Sequence, residues 1–218
     1  MGEETELTLW GVGTTRTMRV HWMLHELGLQ YKTRRIEPRT GATQSAEFLQ
    51  INPKQKIPVL IDGDFVITES TAIMRHLRRR FDKLPFDAYQ LSIEGLAAYD
   101  EWMSFISMEL DATSLYVVRR HKDLIEIYGE AENAVTSSIA YFERMLNSVI
   151  DQIVGKSFLW GSTFSELDVH MAIVLDWAGF IGIHLPESLG DYHRAITARP
   201  AYQAARKINY SDLKIPLA

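Results

Sequence analysis

Three short segments of the chain bring together residue types suited to binding a small polar molecule. Gly13-Thr14-Thr15-Arg16-Thr17-Met18-Arg19-Val20 places hydroxyls and guanidinium groups where an extended run meets a helical one. Asn52-Pro53-Lys54-Gln55-Lys56-Ile57-Pro58-Val59-Leu60 sets lysines just before a proline that opens an apolar run, and Ile67-Thr68-Glu69-Ser70-Thr71 sets a carboxylate and hydroxyls at a helix start. Each has an ordinary use in folding, since threonine and serine cap helices and proline begins edge strands. The same groups also hold anions, because a helix N-terminus presents unpaired N–H groups and the positive end of its dipole. The chain has no cysteine, which excludes disulfides, thiolate metal sites, Cys-His hydrolysis and dithiol exchange. Any thiol chemistry here uses a thiol that is bound.

The elements that must position these segments follow from periodicity. Leu7-Thr8-Leu9-Trp10 alternates with a period of two and runs into Gly11 and Gly13, a strand entering a loop. Val20, Met23, Leu24 and Leu27 fall at i, i+3, i+4 and i+7, an amphipathic helix that Gly28 terminates. Tyr31–Ile36 reads as a strand, 38–43 as a loop and Ser45–Gln50 as a short helix. Pro58–Ile61 and Phe65–Ile67 form a hairpin about Asp62-Gly63-Asp64, and a helix starting near Glu69-Ser70 reaches Phe81. The order βαβ-α-ββ-α predicts a mixed four-stranded sheet covered by helices.

Past Phe81 the pattern turns wholly helical. We expect a domain at 1–81, a linker at 82–89 that includes Pro85, and an all-α bundle at 90–218 with tracts at 90–120, 123–150, 166–180, 187–197 and 201–207. Ser165-Glu166-Leu167-Asp168 has capping-box spacing with aspartate in the glutamate position, so Ser165 and Asp168 take a structural role at the start of a buried helix. His21 and His25 lie i, i+4 but opposite the apolar face and lack a third ligand, so no metal is expected. Arg78-Arg79-Arg80 reads as a solvated helix end. A net charge of −5 without a basic excess argues against nucleic acid. The acidic first residues lack a signal-peptide layout, and no apolar stretch suits a membrane span, so the expected location is cytoplasmic.

Taken in order, the motifs resemble the cytosolic glutathione S-transferase family, of the serine/threonine type and bacterial-like. Asn52-Pro53-x-x-Lys56-Ile57-Pro58-Val59-Leu60 is similar to that family's loop before its third strand, where the proline is cis. Glu69-Ser70 matches its γ-glutamyl-binding pair, Ser165-x-x-Asp168 its helix cap, and Arg199-Pro200-Ala201-Tyr202 the start of its last helix. The resemblance implies a thioredoxin-like N-terminal domain, a helical C-terminal domain, a homodimer, and glutathione as cosubstrate without a metal. It implies a transferase acting in detoxification, in which the glutathione thiolate attacks a hydrophobic electrophile, or a peroxide. A non-catalytic glutathione-binding or protein-interaction member is the alternative, and a zeta-type isomerase a third.

The resemblance also implies roles. The Ile57 backbone beside Pro58 pairs with the cysteinyl unit as an added strand does. Ser70 and the helix start behind it take the γ-glutamyl carboxylate, with Glu69 near the amino group. Lys56, with Gln44 or Arg39, reaches the glycyl carboxylate. Thr14 falls where the tau, phi and theta classes carry a catalytic serine, Thr15 where the zeta class carries the second serine of its Ser-Ser-Cys run, and Arg16 at the cysteine of the beta class. Thr14 is favoured over Thr15, and Arg16 adds positive potential near sulfur. Lowering a thiol by about two pKa units from 8.5 takes about 2.7 kcal/mol. A hydroxyl donor and a helix dipole supply that together. Gln55 stands where the family has glycine. The electrophile is expected against Tyr99, Trp102, Met103, Phe105, Ile106 and Tyr116 of the first long helical tract.

Overall fold

The computed structural model describes residues 6–81, 84 and 88–211. They divide into two units, one holding the residues up to 84 together with those from 198 onward, the other the residues between. The acidic N-terminal residues and most of the expected linker at 82–89 lie outside the described residues.

In the first unit β1 (Leu7–Trp10), α1 (Thr15–Glu26), β2 (Lys32–Arg34), α2 (Ala46–Ile51), β3 (Val59–Asp62), β4 (Phe65–Thr68) and α3 (Ser70–Phe81) follow in order. The sheet runs β2-β1-β3-β4, with β1 and β2 parallel and the other pairs antiparallel, the mixed sheet expected. Its registers place Leu9 opposite Leu60 and Trp10 opposite Val59. Trp10, Ile36, Phe48 and Val59 form one core cluster that pins the loop before β3. β2 is shorter than the expected 31–36, because only three residues pair with β1 at this sheet edge. Met18, Val20, Met23 and Leu24 of α1 are buried, and Gly28 leaves the helix at φ +60°.

The histidine face of α1 is also buried, contrary to expectation. His21 is fully enclosed, with Nδ1 2.8 Å from the Tyr31 hydroxyl and Nε2 3.1 Å from the Gly11 carbonyl. Burial lowers His21 from 6.5 to about 4, so the ring is a neutral structural bridge.

α10 (Pro200–Tyr210) packs in the first unit, where the sequence reading had assigned it to the helical domain. Its anchors are residues of α1. Arg199 donates two hydrogen bonds to the Glu26 carboxylate at 2.7 and 2.8 Å, Trp22 donates to the same carboxylate, and the Trp22 and Tyr202 rings meet edge-on at 4.8 Å.

The described elements of the second unit are all helices, joined by turns and loops. α4 (Ile93–Phe105) starts on Ser92, whose hydroxyl accepts from Gly95 N–H, and continues as a π-helix over Ile106–Leu115. Wider turns give a burial spacing of four residues, through Ile106, Leu110, Ser114 and Val118. A short α5 (Tyr116–Val118) and α6 (Ile125–Tyr128) precede α7 (Glu132–Val149). The expected 123–150 tract is therefore broken, at Gly129 with φ +80°. α8 (Glu166–Phe180) is buried on nearly every side, and α9 (Glu187–Thr197) follows it.

The α8 start is closed by side chains. Asp168 Oδ2 accepts from Ser165 N–H at 2.9 Å, while Oδ1 accepts from Leu159 N–H at 2.7 Å and from the Tyr192 hydroxyl at 2.9 Å. Burial pushes the carboxyl up, and these donors oppose it. Among the described residues no helix is long and apolar enough to cross a membrane.

Two stability measurements test these contacts. The native pKa of His21 is below its unfolded value, so the stability it contributes is complete above pH 6.5 and is lost as pH falls toward 4. Urea unfolding at pH 5 is expected to give about 2 kcal/mol less stability than at pH 7. His21→Gln flattens that slope even though its stability is lower overall. Asp168→Ala removes the acceptor of four buried donors, the Leu159 and Ser165 N–H groups and the Ser165 and Tyr192 hydroxyls, and is expected to cost at least about 3 kcal/mol in the same assay.

Candidate functional site

The three segments meet at one end of the sheet. Trp10 is opposite Val59 and Val59 opposite Thr68, so Gly11, Pro58 and Glu69 leave three adjacent strands at the same edge. The approach is close. A Cβ on Gly11 would lie 2.6 Å from Ile57 Cβ and 2.9 Å from Thr17 Cγ2, and Gly11 has φ +117°. Only glycine fits both the space and the angle. The Gly11 N–H donates to Arg34 O and its carbonyl meets His21 Nε2, so the strand exit is held on both sides.

The second segment is shaped by Asn52, a residue of the motif to which sequence reasoning gave no role of its own. It is buried, its Nδ2 donates to Lys56 O at 2.8 Å, and its Oδ1 accepts from Lys54 N–H at 3.1 Å. Gln55 takes φ +57° and donates its N–H to Asn52 O, so the turn forms without the family's glycine. The Ile57–Pro58 peptide is cis. Lys56 is exposed, and so is Gln44 in a single 3-10 turn at Ala42–Gln44.

In the third segment Glu69 has φ +69°, and Ser70 opens α3 as a buried residue. Arg19, 2% exposed, donates from Nη1 to Ser70 Oγ at 3.3 Å and puts a cation behind that hydroxyl. Lys54, not Lys56, binds Glu69, at 2.7 Å, and also donates to the Thr68 hydroxyl.

Thr14 caps α1 from an extended conformation. Its Oγ1 accepts from Thr17 N–H at 2.9 Å, and its N–H donates to Thr17 Oγ1 at 3.0 Å, a reciprocal capping box. Thr15 is the first helical residue and is buried, whereas Thr14 is half-buried, as is Arg16 in the same turn. The first turn carries no acidic residue. Asn209, from α10, reaches the same turn and touches Gly13, Thr14 and Thr17. No sequence signal marks it, because it lies nearly two hundred residues away.

The helical residues proposed for an electrophile separate into three placements. Tyr99, Met103 and Ile106 are buried side chains, which removes them from any accessible lining. Trp102 and Phe105 meet edge-on at 5.9 Å and line a cavity of about 510 Å³ with Met108, Val149, Glu101 and Glu109. Tyr116 is half-buried, packed on Trp177 with the Arg120 guanidinium over its ring. No group of three or more His, Asp or Glu side chains that could hold a metal forms among the described residues.

Gly11→Ala is expected to destabilise the protein by about 2 kcal/mol or more, since the new methyl overlaps Ile57. Thermal unfolding checks this, and an unchanged melting temperature would remove the close approach as a constraint.

Residues 5–79 match the family model described as glutathione S-transferase, N-terminal domain. The chain is 30% identical over 145 residues to glutathione S-transferase theta-1 of Bos taurus, a match covering 65% of this chain and 60% of that protein's length. It is 31% identical over 110 residues to glutathione S-transferase F10 of Arabidopsis thaliana, covering 50% and 49%. Among solved structures, the glutathione transferase URE2P8 from Phanerochaete chrysosporium, with oxidized glutathione, superposes with a TM-score of 0.80 at 18% identity over 97% of this chain and 98% of that one. A glutathione transferase family member from Pseudomonas fluorescens, with two glutathione bound, gives 0.79 at 21% identity over 94% of both chains.

Proposed function

We propose that the chain is a member of the cytosolic glutathione S-transferase family and that it binds glutathione at the end of the sheet where Gly13–Thr17, Ile57–Pro58 and Glu69–Ser70 converge. That convergence is the observation that carries the reading. The Ile57 backbone pairs with the cysteinyl unit, and the α3 N-terminus with Ser70 takes the γ-glutamyl carboxylate, with Arg19 reinforcing the positive charge behind it. Glu69, held by Lys54, faces the γ-glutamyl amino group. Lys56 and Gln44, both exposed, remain the partners proposed for the glycyl carboxylate.

The thiol is ionised by stabilising its anion. Thr14 donates its hydroxyl proton to sulfur, and the α1 N-terminus, free of acidic side chains and carrying Arg16, adds favourable potential. The thiol proton leaves to solvent. The thiolate electron pair then forms a bond to an electrophilic carbon, whose leaving group departs with its own pair. Thr14 is favoured over Thr15 because Thr15 is the more buried of the two. A hydrophobic electrophile fits the Trp102–Phe105 cavity in size and lining. The family's homodimer and a cytoplasmic location are part of this reading. A binding-only role is the second reading, favoured by one observation: the Thr14 hydroxyl is already engaged in its helix cap.

Titrating bound glutathione by thiolate absorbance separates the two. The wild type is expected to hold the thiol about two pKa units below the free value, Thr14→Ser to keep that shift, and Thr14→Ala to lose most of it. Loss only in Thr15→Ala moves the role to Thr15. A wild-type thiol that binds but titrates as free glutathione leaves the binding-only role, and no binding at all ends both readings.

A further inference from the structure

The capping turn at Gly13–Thr17 is held from the far end of the chain by one carboxamide. Asn209 is 1% exposed. Its Oδ1 accepts from the Thr17 hydroxyl at 2.7 Å and from Gly13 N–H at 3.2 Å, and its Nδ2 donates to the Thr14 carbonyl at 3.0 Å. Its backbone carbonyl takes the Gly13 N–H as well, at 2.9 Å. The orientation of the amide is determined by this set. Turned over, it would set its NH₂ against two donors and its oxygen against a carbonyl.

The consequence is a count of protons. Thr17 has one hydroxyl proton, and its acceptors are Asn209 Oδ1 at 2.7 Å and Thr14 O at 2.8 Å. With that proton committed, Thr17 Oγ1 acts only as an acceptor, toward Thr14 N–H and, at 3.0 Å, toward the Thr14 hydroxyl. Thr14 Oγ1 already accepts from Thr17 N–H. The Thr14 proton thus has Thr17 Oγ1 as its destination within the cap, and a bound sulfur as the alternative. Without Asn209 the Thr17 proton keeps the Thr14 carbonyl as its acceptor, but the Thr14 peptide plane and the Gly13 N–H lose the side chain that restrains them from outside the turn.

We propose that Asn209 is a positioning residue for glutathione activation, which holds the Gly13–Thr17 turn in the conformation that presents the Thr14 hydroxyl to the thiolate. This rests on the reading of Thr14 as the thiolate's donor. Asn209 itself need not touch the ligand.

The test uses the full-length protein, reduced glutathione and thiolate absorbance across pH, with glutathione affinity and the denaturant midpoint measured in parallel. Asn209→Ala keeps the backbone bond to Gly13 and is expected to raise the bound thiol by about one pKa unit, a tenfold loss of thiolate at low pH. Its glutathione affinity should stay within about threefold, because Ile57, Glu69 and Ser70 are untouched. Asn209→Asp keeps an acceptor for Gly13 and Thr17, loses the donor to Thr14 and adds an anion at the positive helix end, so its shift should exceed that of Asn209→Ala. Wild-type titration in both variants overturns the proposal. So does a loss of affinity and thiolate in step with the denaturant midpoint, or failure of both variants to fold, since either marks a structural role alone. If the wild type shows no thiol shift, the Thr14 reading fails first and the proposal falls with it, an outcome distinct from a shifted wild type with silent variants.

Discussion

The site depends on how closely β1 approaches the loop before β3. At Gly11 the backbone comes within a methyl group's reach of Ile57, at a φ that L side chains rarely adopt. That contact sets the distance between the first and second segments of the site. His21 extends the constraint, because its ring ties the Gly11 carbonyl to Tyr31 from inside α1. The Trp10, Phe48 and Val59 cluster then secures the loop from beneath. Strand exit, helix start and proline loop are therefore placed by packing, before any ligand contributes.

The chain contains the same capping device twice, with opposite electrostatic results. At α8 the box closes with Asp168, a buried carboxylate that neutralises the helix N-terminus and spends both oxygens on local donors. At α1 the box closes with Thr17, a neutral hydroxyl, and no acid occupies the first turn. One helix start is complete in itself. The other leaves its positive end without an acidic side chain in the first turn. A capping motif found in a sequence is thus either an ending or an opening, and the charge of its fourth residue distinguishes them.

Most of the sheet was legible because period-two runs and the Asp-Gly turn carry strong local signals. The proline loop and the start of α3 were legible as backbone features too, through Ile57-Pro58 and Glu69-Ser70. What stayed hidden was set by tertiary contact. Arg19 and Asn209 are polar residues whose use depends on burial against distant partners, and nothing within a few residues of either announces it. The face of α1 bearing His21 was misjudged because a histidine satisfied by a carbonyl and a phenol can be buried where polarity suggests exposure. Along 93–115 a helical period of 3.6 grouped Trp102 with Tyr99 and Met103, while the chain buries Tyr99 and Met103 and leaves Trp102 on a cavity wall before winding into a π-helix.

α10 belongs to the unit that α1 begins, although more than a hundred residues of another unit separate them. The first unit is therefore discontinuous in the chain. On the ribosome its sheet and first helices emerge early, but Asn209 and the Arg199–Glu26 pair can join them only after the helical unit has been synthesised. Final assembly of the Thr14 turn is accordingly a late step, made by closing a long loop around a unit that can already be folded.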